Sequence, residues 1–384
     1  MKREKKKKKI QWRQYLGMLL FLILGGVCGA LLAGRISALE KAGASWLTII
    51  ILAAMLILCV YAAMFLQIII HEAGHLLFGL RSGYRFSSFR IGSFMWLRQD
   101  GKLTSKRLSL AGTGGQCLMA PPDMADGRLP FVLYNLGGSI MNIVSALLFF
   151  LLYLLCKDVP YLSALLLMLA VIGAAFALMN GIPMRMGAVD NDGYNALSLG
   201  KNDEALRSFW VQMKTNERIA QGDRLKDMPE DWFTVPSGEG MKNSMTAAIG
   251  VFACNRLMDM HEFERADKLM AELLTMESAM AGVHRSLMVC DRIYCELIGE
   301  RREDRLTAML DKKQRQFMKS MKSFPSVLRT EYAWALLFEK NAVKAEKIKE
   351  RFEKRARTYP YPSDMESERE LVEIAASRLE SAVK

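Results

Sequence analysis

Four long apolar runs, separated by charged or polar segments, dominate the first half of the chain. They cover residues 15–34, 46–80, about 130–156 and about 160–179. A run of about 20 apolar residues is long enough to cross a bilayer as a helix. The first run is longer than the apolar core of about 7 to 15 residues in a signal peptide. We therefore predict a bundle of four membrane spans.

The pattern changes between the second and third runs, where short stretches alternate with a period of two. Asp100 and Gly101 stand between residues 93–98 and 103–110, a spacing that predicts a β-hairpin with a two-residue turn. The Gly-rich stretch at 112–122 is expected to be irregular backbone.

The second half of the chain has the apolar spacing of amphipathic helices. Residues 243–277 and 326–360 share a layout of two helices around a polar break, and residues 279–321 make a longer middle pair. This layout is similar to tetratricopeptide-type repeats, although an ordinary helical bundle is an open alternative. The expected organisation is a basic N-terminus at 1–14, a membrane domain at 15–200, a linker region at 201–242 and a helical domain at 243–384. The fold class is thus mainly α, with one small β element.

The net charge of +12 is concentrated in two places. Residues 1–14 carry eight Lys and Arg against one acid, and residues 81–129 carry eight against three, so the remaining residues sum to about zero. Basic clusters beside apolar runs usually mark the cytosolic side of a membrane. We expect a multi-pass protein of the cell membrane with both termini in the cytosol, in contact with lipid and not with nucleic acid.

The second run contains an H-E-x-x-H motif formed by His71, Glu72 and His75. Two histidines four residues apart lie on one face of a helix, where both can bind one Zn²⁺ while the glutamate faces water on the metal. The alternative is a histidine pair that is hydrogen bonded to neighbouring groups. Ionisable residues in a membrane helix are costly, which favours a functional site.

A catalytic zinc needs a third protein ligand, and the candidates follow the fourth run. Asn180 and Pro183 are followed by Asp190 and by Asp192-Gly193. With the H-E-x-x-H motif, this resembles the N-x-x-P…D-G signature of the site-2 protease family of intramembrane zinc metallopeptidases. Residues 138–142, Gly-Ser-Ile-Met-Asn, resemble its G-P-x-x-N segment, with Ser in place of Pro. The resemblance covers about residues 46–200.

The resemblance implies that His71, His75 and Asp192 bind zinc, with Asp190 as the alternative third ligand. Asp192 is preferred because a glycine follows it, as in the family. Zinc lowers the pKa of its bound water, and Glu72 accepts the proton as the water attacks a peptide carbonyl. Asn180 or Asn142 is a candidate donor to the oxyanion. An edge of the segment 84–110 is a candidate site for an extended substrate.

The function expected from the sequence is therefore zinc-dependent hydrolysis of peptide bonds in membrane-associated proteins or peptides. The helical domain would bind a protein partner that delivers substrate or regulates access. The alternative is a non-catalytic membrane scaffold with a structural metal site. Processing of a small exported peptide or pheromone is a third hypothesis.

Overall fold

A computed structural model describes residues 43–99, 101–108, 114–186 and 189–383, together with scattered positions between residues 19 and 41. The described chain divides into two compact units. The first contains residues up to 83, 114–117 and 130–201, and the second contains 84–113, 118–129 and 202–384. The first predicted span, residues 15–34, lies largely outside the described residues.

The first unit is built on three long apolar helices, α1 (Trp46–Arg81), α2 (Val132–Leu155) and α3 (Pro160–Gly181). Within the described part of the chain, these three are long and apolar enough to cross a membrane. Ser45 caps α1 by accepting a hydrogen bond from the Thr48 amide. These three helices agree with the second, third and fourth predicted apolar runs.

A short segment after α3 turns the chain back toward the helices. The two-residue strands Arg185–Met186 and Val189–Asp190 pair antiparallel, and helix α4 (Asp192–Ser198) follows at once. Asn191 caps α4 and accepts a hydrogen bond from the Tyr194 amide.

The sheet has four strands, β1 (Arg85–Ile91), β2 (Phe94–Gln99), β3 (Lys102–Arg107) and β4 (Gly115–Ala120). Their order is β3-β2-β1-β4. Strands β2 and β3 pair antiparallel from Phe94 opposite Arg107 to Gln99 opposite Lys102, which confirms the predicted hairpin. Gly101, in its turn, has a φ of 73°, a value that favours glycine.

Strand β4 corrects the expectation of irregular backbone at 112–122. Residues 115–120 are extended and form an edge of the sheet. Gly115 begins this strand, where Glu72 and Ile68 of α1 lie so close that a Cβ atom would be 2.7 Å from Glu72 and 2.9 Å from Ile68.

The rest of the second unit is helical. Its helices are α5 (Asp203–Gln221), α6 (Ser244–Asp259), α7 (Phe263–Thr275), α8 (Gly282–Ile298), α9 (Glu303–Met309), α10 (Lys312–Ser320), α11 (Pro325–Ala333), α12 (Ala342–Ala356) and α13 (Pro362–Val383). A turn of π-helix, Trp334–Phe338, extends α11.

Two differences from the sequence-based expectations stand out in this unit. The segment interpreted as a linker, residues 201–242, contains the 19-residue helix α5. The segment 279–321 contains three helices instead of a pair. The helix pairs α6–α7 and α11–α12 do occupy the two 35-residue stretches, and their assignment to tetratricopeptide-type repeats stays a prediction.

Candidate metal centre

The H-E-x-x-H motif lies in the last third of α1, and its three polar side chains are buried. His71, Glu72 and His75 each have 8% of their surface exposed. Helix α2 approaches α1 closely here because the contact is made by glycines. A Cβ atom at Gly74 would overlap the Gly137 carbonyl, and one at Gly138 would lie 2.5 to 2.6 Å from atoms of the His71 ring.

Asp192 completes a cluster with the two histidines. Among the described residues, the His, Cys, Asp and Glu side chains placed to share one ion are His71, His75 and Asp192. The His71 Nε2 atom lies 3.1 Å from Asp192 Oδ2 and 3.2 Å from His75 Nε2, and the third side of this triangle is 3.4 Å. Ligands about 2.0 to 2.1 Å from a tetrahedral zinc ion are about 3.3 Å apart, so the triangle fits such an ion.

The Nδ1 atom of each imidazole is hydrogen bonded to a group outside the cluster. His75 Nδ1 donates to the Tyr134 carbonyl at 2.8 Å, and His71 Nδ1 lies 2.7 Å from Asn142 Oδ1. In each ring the hydrogen therefore belongs on Nδ1, which leaves the Nε2 lone pair facing the cluster. Two lone pairs and a carboxylate that face one another without a cation would repel. The donor set thus fits a divalent ion.

Asp190, the alternative ligand, lies outside this cluster. Its carboxylate accepts a hydrogen bond from Arg185 Nε at 3.1 Å, across the pair of short strands. The Arg185 guanidinium also lies 5.0 Å from the centre of the Tyr194 ring. This side of the turn stabilises the start of α4, whereas Asp192 faces the histidines.

The two asparagines proposed as oxyanion donors have other partners. Asn180 Nδ2 donates to the Phe176 carbonyl within α3. Asn142 Nδ2 donates to the backbone and side-chain oxygens of Gln67, and Asn142 Oδ1 faces His71. Both amides thus donate within the helix bundle, and Asn142 contacts a candidate ligand from the side away from the cluster.

Glu72 contacts the first residues of β4. A Cβ atom at Gly115 would lie 2.7 Å from both Cγ and Oε1 of Glu72. The Gly115 backbone therefore packs directly against the Glu72 carboxylate. The Tyr134 hydroxyl donates to the Cys117 carbonyl at 2.9 Å and holds the same strand against α2.

Sequence reasoning missed three contributors to this site. Gln67 was visible only as a polar interruption of an apolar run, although it stands four residues before His71. Asn191 stood between two candidate ligands without a role. The Tyr134 carbonyl that holds His75 is a backbone group, so no residue type could reveal it.

Comparison with known proteins identifies the region that carries this site. No curated protein and no solved structure matches the chain at a significant level. Residues 59–166 match the model of peptidase family M50, the site-2 protease family, whose members are zinc metalloproteases of membranes. The matched segment carries His71, Glu72, His75 and Asn142, while Asp192 follows it. The resemblance to the site-2 protease family is thus confirmed, and it rests on residues 59–166 of the chain.

Proposed function

We propose that the chain is an intramembrane zinc endopeptidase that cleaves membrane-associated proteins or peptides. The observation that carries this proposal is the triangle formed by His71 Nε2, His75 Nε2 and Asp192 Oδ2, with sides of 3.1 to 3.4 Å. Its match to the ligand spacing of tetrahedral zinc supports His71, His75 and Asp192 as the ligands. Zinc, when bound, polarises a peptide carbonyl and makes water a stronger acid.

Glu72 is the proposed general base and acid. It follows His71 directly in α1, so it lies beside the ligands, and its carboxylate is buried against Gly115. A carboxylate in this position accepts the proton of the attacking water and then gives it to the leaving amine. A structural metal site has no need of such a group, which favours the enzyme over the scaffold.

Asn142 is better supported as a residue that orients His71 than as an oxyanion donor. Both of its N–H directions point to oxygens of Gln67. Asn180 stays a weaker candidate for substrate contact, since its amide hydrogen bonds within α3.

The substrate is proposed to lie in extended form beside β4. A peptide bond within a helix has its carbonyl covered, so hydrolysis requires local unwinding. Strand β4 is at an edge of the sheet, and its first residue contacts Glu72. An added strand at this edge would bring its main chain close to the site. This replaces the hairpin edge within 84–110 as the favoured place.

The orientation in the membrane and a partner for the C-terminal helices stay predictions. Both strongly basic segments belong on one side if the termini are cytosolic, as the positive-inside rule requires. The described helices of the second unit neither identify a partner nor define a compartment.

Glu72→Gln tests the catalytic role, because the amide keeps the shape of the side chain but cannot accept a proton. We expect the purified variant to retain zinc at the wild-type stoichiometry and to lose at least about a hundredfold in cleavage of a membrane-embedded reporter. The measurements are metal analysis and a cleavage assay in the same detergent.

Matched histidine variants complete the experiment. His71→Ala should lose zinc, whereas His284→Ala, in the helical second unit, should keep it. Undiminished cleavage by Glu72→Gln would remove Glu72 from the mechanism. Zinc retention by the wild type without cleavage of any membrane reporter would favour the scaffold.

A further inference from the structure

Gln67 is a buried amide in the membrane-spanning part of α1, one turn before His71. It has no exposed surface. Its Nε2 donates to the Leu169 carbonyl at 3.0 Å, and its Oε1 accepts from Asn142 Nδ2 at 2.8 Å and from Ser145 Oγ at 3.0 Å. Burial of an amide in this apolar environment costs free energy unless its polar atoms are hydrogen bonded. A polar residue at such a position therefore suggests a functional role.

Helix α3 leaves a space for this amide. A Cβ atom at Gly173 would lie 2.7 Å from Gln67 Nε2 and 3.0 Å from Cδ. Gly173 therefore allows the Gln67 side chain to reach the Leu169 carbonyl, four residues earlier on the same helix. Two helices and a glycine thus hold the amide in one orientation.

The donors and acceptors in this chain of contacts have only one consistent assignment. The Leu169 carbonyl can only accept, so Gln67 turns its NH₂ group to it and its oxygen to Asn142. Asn142 must then turn its NH₂ group to Gln67, which leaves Asn142 Oδ1 facing His71 Nδ1 at 2.7 Å. An oxygen there requires the hydrogen of His71 on Nδ1.

We infer that Gln67 is a positioning residue that acts through Asn142 to keep His71 in the tautomer whose Nε2 can bind the metal. This inference rests on the proposed function and adds a residue outside the ligand set. The Leu169 carbonyl and the Gln67 backbone carbonyl, which can only accept, set the direction of the hydrogen bonds that run through the two amides to His71.

Loss of the Gln67 oxygen would weaken this control. Asn142 would keep only its longer, 3.1 Å bond to the Gln67 backbone carbonyl, and this single bond would hold its amide less firmly in the present orientation. An N–H group facing His71 Nδ1 would move the ring hydrogen to Nε2, where it blocks metal binding. Partners of ligating histidines typically contribute about 10- to 100-fold in metal affinity, so we expect Gln67→Leu to weaken zinc binding about tenfold.

The decisive experiment repeats Gln67→Leu in the background of Asn142→Asp. The carboxyl group of an aspartate has no N–H to present to His71, so the ring hydrogen stays on Nδ1 whatever residue 67 is. Zinc binding of the full chain in detergent, measured by competition with a chelator, should then be no more than about twofold weaker with Leu than with Gln at position 67.

Ser145→Ala is the matched control, because Ser145 bonds to the same Gln67 oxygen but is not in the path to His71. It should leave zinc affinity within about twofold of wild type. If Gln67→Leu does not fold, Gln67→Met, which keeps an unbranched side chain, takes its place.

An equal loss in the Asn142 and Asn142→Asp backgrounds would show that Gln67 only fills space, and it would overturn the inference. Wild-type affinity of Gln67→Leu would overturn it as well. Both results leave the proposed function intact. A wild-type chain that binds no zinc would overturn the proposed function and, with it, this inference.

Discussion

At the scale of single residues, the site depends on glycines, which have no side chain and let neighbouring elements come close. Gly74, Gly137 and Gly138 bring α2 against the motif, and Gly115 brings β4 against Glu72. Glycine in a membrane helix permits this close approach of backbones. The polar residues are the candidate ligands and proton acceptor, and the glycines determine how closely α2 and β4 pack against them.

Gly115→Ala should therefore impair catalysis without removing the metal. Its Cβ would stand 2.7 Å from Glu72 Cγ and Oε1, so the carboxylate or the strand must move. A displacement of a catalytic group by about 1 Å can reduce the reaction rate about a hundredfold. We expect a loss of cleavage of this order with zinc content unchanged, measured by reporter cleavage and metal analysis.

Gly114→Ala provides the control for this prediction. Its Cβ would lie 2.8 Å from the terminal Cδ1 atom of Ile68, a side chain that can rotate away, and it would not reach Glu72. Activity of Gly114→Ala should stay near wild type. Equal losses in both variants would indicate that the strand tolerates no side chain here, and the specific role of the Glu72 contact would be refuted.

At the scale of elements, helix α4 places the third candidate ligand. Asn191 holds the turn before it: the side-chain oxygen accepts from the Met184 and Tyr194 amides, and Nδ2 donates to the Met179 and Ile182 carbonyls. The end of α3 and the start of α4 are thus joined by one side chain. Asp192 follows it directly and faces the histidines.

Gly193→Ala should displace this helix. A Cβ atom there would overlap the Gly181 carbonyl and lie 3.1 Å from the Asn180 carbonyl oxygen, and backbone atoms cannot rotate away. Because α4 must shift, we expect Asp192 to leave the cluster and zinc affinity to fall by at least about tenfold. Chelator competition with the full chain measures this change.

Gly200→Ala, just beyond the same helix, is the matched control. Its Cβ would meet only the end of the Phe131 ring, at 3.1 Å, and a ring can adjust. Zinc affinity of this variant should stay close to wild type. An undiminished affinity of Gly193→Ala would contradict the role assigned to this close contact.

The elements that the sequence predicted well are those defined by strong periodicity. The three long apolar helices and the β2–β3 hairpin agree with the apolar runs and with the Asp-Gly turn. Strand β4 was missed because glycine is a poor strand former, and its contact with Glu72 depends on residues 43 positions apart. Helix α5 was missed because the Pro and Gly residues that follow it led to the interpretation of the whole segment 201–242 as a linker.

The candidate site also contains residues that local spacing predicted and residues that only tertiary contacts bring together. Local spacing identified His71, Glu72 and His75, since four residues make one helical turn. Convergence of Asp192 with them was expected from the family resemblance and from the order of the apolar runs, which places both motifs toward the same side of the membrane, and not from local spacing. The amide chain through Gln67 involves three helices and could not be read from any local pattern.

At the scale of the whole molecule, the second unit buries a substantial number of charged groups beside a large apolar core. Arg329 is 1% exposed, pairs with Asp291 and lies 4.5 Å from the centre of the Tyr294 ring. Arg224 bonds to Asp259 through Nη2 at 2.6 Å and also pairs with Glu370. Pairs of this kind are costly to break because one partner is left as a buried charge.

Asp364, in the first turn of α13, makes the stability of this unit depend on pH. Burial, with a contribution from the nearby Asp259 carboxylate, raises the pKa of Asp364 from 3.8 to about 7. Between these values the folded chain holds a proton that the unfolded chain releases. The free energy of unfolding contributed by this group therefore falls as the pH rises from about 4 to about 7, and it stays low above that range.

Asp364→Asn should remove this dependence. The neutral amide resembles the protonated acid, so the variant should melt higher than the wild type at both pH 5 and pH 8, by a smaller margin at pH 5 and by several degrees at pH 8. The measurement is thermal unfolding of the full chain in one detergent at both pH values. Asp304→Asn, at an exposed position, should give no such difference between the two pH values. A shift of Asp364→Asn that is equal at pH 5 and pH 8 would mean that the carboxyl is ionised in the folded chain throughout this range, and the assigned pKa would be wrong.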